Sequence, residues 1–260
     1  MASPAAVPGE RGEREGWATP DAGRTAEPRG LLPVPSALRE VLPDAGLRRG
    51  TAVSVAGGDT GLLLALAAGV KETEGGWAAA VGLPDLGLAA AEGYGLDLRR
   101  LLVADDPGPH WAEVVSVLAG AVELIMLRPD GPVPPKLAAR LAAVLRRSGC
   151  VLLVAGPWPG AALRLGVRSG RWFGLGDGHG QLVGRQVEVV AEGRGSAVRG
   201  RTVRLWLPDE YGAVRPLREQ PAADPADPAV AAVAALSAVP ASPAAEPAVE
   251  PRAPRVAAVV

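Results

Sequence analysis

One cysteine, two histidines and two lysines are all that 260 residues hold of those types, and each scarcity removes a class of function. Cys150 stands alone, so neither a disulfide framework nor a cysteine-ligated metal cluster can be assembled. His110 and His179 are the only imidazoles, which argues against a zinc site. Aromatic residues make up 3% of the chain, and arginine supplies nearly all the positive charge beside Lys71 and Lys136. With Ala, Gly, Pro and Val abundant, that bias is the signature of GC-rich coding sequence rather than of a function. The formal net charge of −1 argues against a globally basic nucleic-acid coat protein but not against a local basic face. Apolar runs of membrane-spanning length are missing; the best, Leu62 to Val70, is too short. Met1-Ala2-Ser3-Pro4 is not followed by the basic and apolar segments of a secretory signal, so the expected location is the cytoplasm, with no membrane partner.

What is present is an alternation between two polar ends. Residues 1–29 mix Pro, Gly, Glu and Arg without apolar periodicity, and residues 217–260 are rich in Ala and Pro; both read as disordered segments flanking one domain, residues 30–216. That leaves about 180 foldable residues, enough for one full core. Helices are predicted over Ser36–Leu42, Gly61–Glu72, Asp85–Tyr94, Trp111–Leu118 and Pro134–Arg147, the last with Leu137, Leu141 and Leu145 on one face. Between them fall mostly apolar strands over Thr51–Val55, Trp77–Gly82, Leu101–Ala104, Val122–Leu127 and Cys150–Ala155. Such alternation with short connections predicts an α/β fold: a mostly parallel central sheet flanked by helices. After Pro159, Leu163–Val167, Gln186–Ala191 and Val203–Leu207 read as antiparallel strands that extend the C-terminal edge of that sheet.

The chemistry-bearing stretch is Ala56-Gly57-Gly58-Asp59-Thr60-Gly61-Leu62-Leu63. It lies between a predicted strand and a predicted helix, the context of a phosphate-binding loop. A working loop needs a lysine for the β- and γ-phosphates and a hydroxyl for Mg²⁺, and those two positions hold Leu62 and Leu63, with Ala56 in place of the leading glycine. An aliphatic pair cannot neutralise a triphosphate.

Three further stretches give the loop a family setting. Leu42-Pro43-Asp44-Ala45-Gly46-Leu47-Arg48-Arg49-Gly50-Thr51 resembles the lead-in of the RecA recombinase core. Gly95-Leu96-Asp97-Leu98-Arg99-Arg100-Leu101-Leu102 is similar to that family's stretch before its third strand. Ala121-Val122-Glu123-Leu124-Ile125-Met126-Leu127 resembles the strand that carries the second nucleotide motif. The resemblance covers roughly residues 30–207 and implies a RecA-like core. It also implies that the acid organising Mg²⁺ would stand where this chain has Arg128, and the glutamate activating water at about Leu83. With lysine, hydroxyl, acid and base all replaced, no route remains to in-line attack on a γ-phosphate, so no catalytic residue, metal or cofactor is expected. Asp85 and Asp105 read as solvated loop carboxylates rather than substitute acids.

The other half of the resemblance departs too. Gly156-Pro157-Trp158-Pro159-Gly160 makes a short stiff turn where a recombinase has a long mobile loop, and the flanking prolines are expected to push the Trp158 indole outward as a partner contact. Arg164, Arg168, Arg171, Arg185, Arg194, Arg199, Arg201 and Arg204, interleaved with Trp172, Phe173 and Trp206, read either as a surface for single-stranded DNA or as a packed and solvated sheet edge. The tail segment Arg252, Arg255, Val256, Val259 and Val260 reads either as a docking peptide or as solvated chain. Two RecA-related groups lack an intact nucleotide site, and the chain resembles the ImuA family more than the shorter SulA family. The ImuA resemblance implies a non-catalytic adaptor in damage-induced mutagenic DNA synthesis. It would be a monomer or small oligomer, nucleoid-associated after damage, partnered by the polymerase-like (ImuB-like) protein of a mutagenesis cassette. The alternatives are a SulA-like inhibitor of the tubulin-like division protein and a weak ATPase or recombinase.

Overall fold

Short runs that are apolar at every position, such as Leu124–Leu127, bury both of their faces, which only a sheet covered on both sides permits. In the computed structural model, residues 30–175, 180–193 and 200–217 are described. The expectations placed on residues 1–29, on Arg194 and Arg199, and on the tail residues Arg252, Arg255, Val256, Val259 and Val260 fall outside them. Leu217, assigned from sequence to the tail, still donates its backbone N–H to Arg204 O at 3.0 Å, so the ordered chain runs at least that far.

A small antiparallel pair, β1 (Leu31–Leu32) and β2 (Leu47–Arg48), brackets the one-turn helix α1 (Ser36–Arg39). The main unit then alternates: β3 (Ala52–Val55), α2 (Thr60–Ala67), β4 (Ala78–Val81), α3 (Leu88–Tyr94), β5 (Leu101–Ala104), α4 (Trp111–Leu118), β6 (Leu124–Leu127), α5 (Pro135–Ser148) and β7 (Val151–Ala155). Four strands follow: β8 (Leu163–Leu175), β9 (Gly180–Gly193), β10 (Arg201–Trp206) and β11 (Arg215–Pro216). Together β3 to β11 form one nine-stranded sheet in the order β11-β10-β9-β8-β3-β7-β6-β4-β5. From β3 the chain steps outward through α2 and α3, then returns through α4 and α5. Right-handed crossovers place these two pairs on opposite faces. The cores agree: Leu62–Ala67, Ala91 and Tyr94 pack on Val53, Val55, Ala80 and Met126, while Trp111, Val115, Leu141 and Leu145 pack on Ala79, Val81, Ile125 and Leu152.

Most sequence expectations hold to within a residue or two, and the departures have local causes. Helix α2 stops at Ala67 and tightens into a 3₁₀ turn over Ala68–Glu72, within which Gly69 meets the Pro33 carbonyl so closely that a Cβ there would lie 1.9 Å from it. Helix α3 starts at Leu88 rather than Asp85, after a turn closed by Leu86 N–H to Leu83 O at 3.0 Å. The larger correction concerns β8. It was expected to be antiparallel and to end at Val167; instead it runs parallel to β3 over Leu163–Leu165 and then antiparallel to β9 as far as Leu175. Residues 156–162 make the β7-to-β8 crossover without a helix, since Ala155 and Leu163 register near opposite ends of the four-residue β3.

At the amino-terminal edge of the sheet, Arg49 and Glu123 form a salt bridge with side chains only 12% and 7% exposed. Glu123 also joins three strands through its backbone, donating to Trp77 O and accepting from Val151 N, each at 2.9 Å. Beside it the buried Cys150 thiol is pushed well above its ordinary range, chiefly by burial and secondarily by the Glu123 charge.

Candidate functional site

The glycine loop is closed rather than cradle-shaped. Gly57 and Gly58 take φ of 68° and 63°, the left-handed region that glycine enters without a steric penalty, and the chain makes a single 3₁₀ turn over Ala56–Gly58. Asp59 then caps α2, its carboxylate accepting from Leu62 N at 2.9 Å, so the positive end of the helix already faces an anion supplied by the chain itself. Arg185, reaching across from β9, donates to the other Asp59 oxygen at 2.8 Å. Its guanidinium also lies 5.6 Å from the centre of the Trp172 ring. Tyr94 closes the third side: a Cβ at Gly61 would sit 2.9 Å from its hydroxyl. Burial first, and then the Asp59 charge, raise that phenol above its usual range. Where phosphates would be expected there is an internal carboxylate–guanidinium pair. Leu62 and Leu63 are both 0% exposed and point into the core with α2's other leucines.

The remaining nucleotide positions are equally committed elsewhere. Leu83 is buried in the same core. Arg128, at the end of β6, donates to Asp85 at 2.8 Å. Asp85 is solvent-facing, and its carboxyl is held below the ordinary range first by a backbone hydrogen bond and then by Arg128. Gly82, after β4, is forced by a close approach: at φ 69°, any Cβ would come within 2.3 Å of Arg128 O. Gly82 and Arg128 line an open hollow of about 380 Å³ at the carboxyl ends of β4, β5 and β6, with Asp105, Asp106, Asp130 and Trp111. Among the described residues, no three His, Cys, Asp or Glu side chains gather as a metal site.

The arginine-rich region sorts by strand alternation. Val187, Val189, Ala191, Leu205 and Leu207 face the α2 core, so their neighbours face away. On that outer face the register sets Arg164 opposite Glu192, Arg171 opposite Gln186, and Arg204 opposite Glu188. Arg168, at a bulge, pairs with Glu188 at 3.2 Å. Phe173 and Trp206 meet at one end with ring centres 5.2 Å apart and planes tilted by 58°, and Arg171 lies over Phe173 at 5.0 Å. A hollow of about 300 Å³ lined by Ser169, Arg171, Gln186, Glu188 and Arg204 opens on this face. Thus Arg164, Arg168, Arg171 and Arg204 come together with two aromatics. Three expected members, Arg185, Arg201 and Trp172, do not join them. Arg201 faces the core side and donates to Leu42 O at 2.9 Å, and Trp172, 49% exposed, shares the opposite face with Arg185.

Trp158 is a correction. It is 3% exposed, not outward, and meets Trp111 edge to face with ring centres 6.3 Å apart. The prolines fix the backbone of the crossover, but the apolar layer of α4 and α5 decides where the indole goes; Trp158 packs there as a crossover helix would. The role of Arg185 was not legible from sequence at all, since it meets Asp59 across 126 positions.

Comparison with known proteins bears on the parallel core. A family model described as the MT3502 N-terminal domain matches residues 40–160, which span β2 to β7 and the glycine loop and stop short of β8. The chain is similar to that family there. Rv3395c of Mycobacterium tuberculosis, described as an uncharacterized protein, is 43% identical over 118 residues, 45% of this chain and 57% of the relative. The chain therefore spans little more than half the length of that relative. Among the described residues, no helix is long and apolar enough to cross a membrane.

Proposed function

We propose that the chain is a RecA-like protein without nucleotide chemistry, resembling the ImuA family, that serves as a non-catalytic adaptor in damage-induced mutagenic DNA synthesis. The observation that carries the reading is the closed loop: Leu62 and Leu63 are core residues, and the α2 N-terminus is satisfied by Asp59, itself clamped by Arg185. A carboxylate in that position repels a polyphosphate, and displacing it would leave Arg185 without its ion pair. Titration of a fluorescent ATP analogue with Mg²⁺ should show no saturable binding below about millimolar, equivalent to less than about 4 kcal/mol of binding free energy. A micromolar dissociation constant that responds to substitution of Gly57 or Gly61 would overturn this.

An adaptor contributes surfaces, and the outer face of β8, β9 and β10 supports weak binding of single-stranded DNA. Arg164, Arg168 and Arg204, set against Glu192 or Glu188, and Arg171, opposite Gln186, can track phosphates, with Phe173 and Trp206 offering an aromatic edge for bases. Binding should fall steeply with salt, and replacing Arg168, Arg171 and Arg204 by alanine should flatten the slope of log affinity against log salt by about 2, at roughly 0.7 per lost phosphate contact. Replacing Arg201, which faces the other way, should leave the slope unchanged. Equal effects from both replacements would return the arginines to a role in solvating the sheet.

For the partner, full-length chain should co-purify with the polymerase-like protein of a mutagenesis cassette as a complex of monomers or small oligomers. Failure there, with capture of the tubulin-like division protein instead, would replace this reading by the SulA-like one.

A further inference from the structure

Strand β8 pairs with β3 only from Leu163 to Leu165, yet it continues to Leu175 with β9 along its other side. Past Leu165, no strand among the described residues lies along the free side, so alternate backbone N–H and C=O groups there point away from any ladder. Bulges at Arg168 and Gly174 bend the arm but leave Ser169–Phe173 in unbroken register with Glu188–Gly184. Natural edges are blunted by proline, charged side chains, bulges or shortness. This one carries arginines and two bulges but has no proline or lysine between Leu163 and Leu175, and the arm exposes Trp172, Leu175, Leu182 and Val183, each by 45% or more. All four belong to the β8–β9 hairpin rather than being scattered singly over the surface.

We propose that this edge docks an extended acidic segment of a partner protein, which adds as a strand beside Ser169–Phe173 and seats an apolar side chain against Trp172. Charge chooses the occupant. Arg164, Arg168 and Arg171 lie along β8, Glu188 answers Arg168 at 3.2 Å, and Arg171 rests on the Phe173 ring, opposite Gln186 and without a carboxylate partner among the described residues. A second copy pairing edge to edge along Ser169–Phe173 would bring Arg171 against its equivalent, which is unfavourable for directly opposed like charges. A nucleic acid has no backbone to match the repeat of a strand edge, and its proposed surface is the sheet face, not this rim. The edge follows from the geometry alone, whereas naming its occupant as the polymerase-like protein rests on the adaptor reading above.

The test uses full-length chain and a short fluorescent peptide alternating Glu with Val and Phe. A version with Lys for Glu and one interrupted by proline serve as controls. Saturable anisotropy is expected for the acidic peptide alone, with slowed hydrogen exchange at the amides of Ser169–Phe173. Trp172→Ser with Leu175→Lys should weaken binding roughly tenfold or more, the size of effect typical of a buried anchor. Leu175→Lys alone leaves the Trp172–Arg185 contact intact, so it should weaken binding without altering the thermal melt. No saturation, equal binding of the Lys peptide, or protection elsewhere overturns the proposal. Equal displacement by oligo-dT assigns the rim to nucleic acid, and a dimer abolished by the same variants assigns it to a second copy; either overturns it as well. Capture of the polymerase-like protein separates the two readings. Failure to capture it while the peptide still binds defeats the adaptor reading alone, and equal capture by wild type and variants defeats this assignment of the site alone.

Discussion

Glu123→Ala is expected to remove about 3–5 kcal/mol of stability, the range for stripping one partner from a buried ion pair. The guanidinium of Arg49 would remain 12% exposed beside Cys150 and the strand ends, with its countercharge gone. That loss is a large fraction of the about 5–15 kcal/mol that holds a typical domain together. A fall in melting temperature of roughly 10 °C follows at about 2–4 °C per kcal/mol for a domain of this size. The pair stands at the amino-terminal rim where β3, β6 and β7 begin, and Glu123 also carries backbone bonds to Trp77 and Val151, which alanine keeps. The loss should therefore come from the charge and not from the ladder. Arg49→Met with Glu123→Leu tests this: replacing both partners by apolar residues is commonly neutral or better. Denaturant midpoints for the two single variants and the double variant measure it. If Glu123→Ala changes stability by less than about 0.5 kcal/mol, in the range of ordinary surface substitutions, the pair is not what fixes the rim.

How much could be read from the sequence depended on whether the signal was local. Leu101–Ala104 and Trp111–Leu118 are found with the predicted bounds because their apolar spacing is written within a few residues. The buried leucines at 62 and 63 were legible for the same reason, as an apolar pair opening an apolar helix. The β8–β9 arm was not. Its apolar pattern stops where the strands leave the core, and from Ser169 to Leu175 it reads Ser-Gly-Arg-Trp-Phe-Gly-Leu, which no two-residue period selects. Trp158 was misread because the stiffness of its proline neighbours is local, while the Trp111 ring that receives it comes from α4, distant in sequence. Arg185 and Asp59 are the extreme case: each is ordinary in its own segment, and only the fold makes them a pair.

Reinstating the lysine that the loop lacks should damage the fold without restoring nucleotide binding. Leu62 is 0% exposed among Leu66, Ala91 and Tyr94. Truncation to alanine should cost about 2–5 kcal/mol through lost burial and the cavity left behind. Leu62→Lys should cost more than that at pH 7, because an ammonium would enter the same space with Arg185 already occupying the nearby carboxylate. The sign of its pH dependence identifies the cause. Burial depresses the folded-state pKa of a lysine below its unfolded value of about 10.4, so the unfolded chain binds more protons and stability rises with pH across that interval. The deficit of Leu62→Lys relative to Leu62→Ala should therefore shrink as pH is raised from about 7 to about 10, whereas wild type shows no such recovery from this position. Urea midpoints across that pH range provide the comparison, with Leu62→Met, expected to cost less than about 1.5 kcal/mol, as the size-matched control. A Leu62→Lys protein as stable as wild type at pH 7 that gained micromolar ATP affinity would mean that the helix N-terminus opens to solvent and that Asp59 yields to phosphate. In that case the closed loop would be a resting state of a nucleotide site and not its replacement.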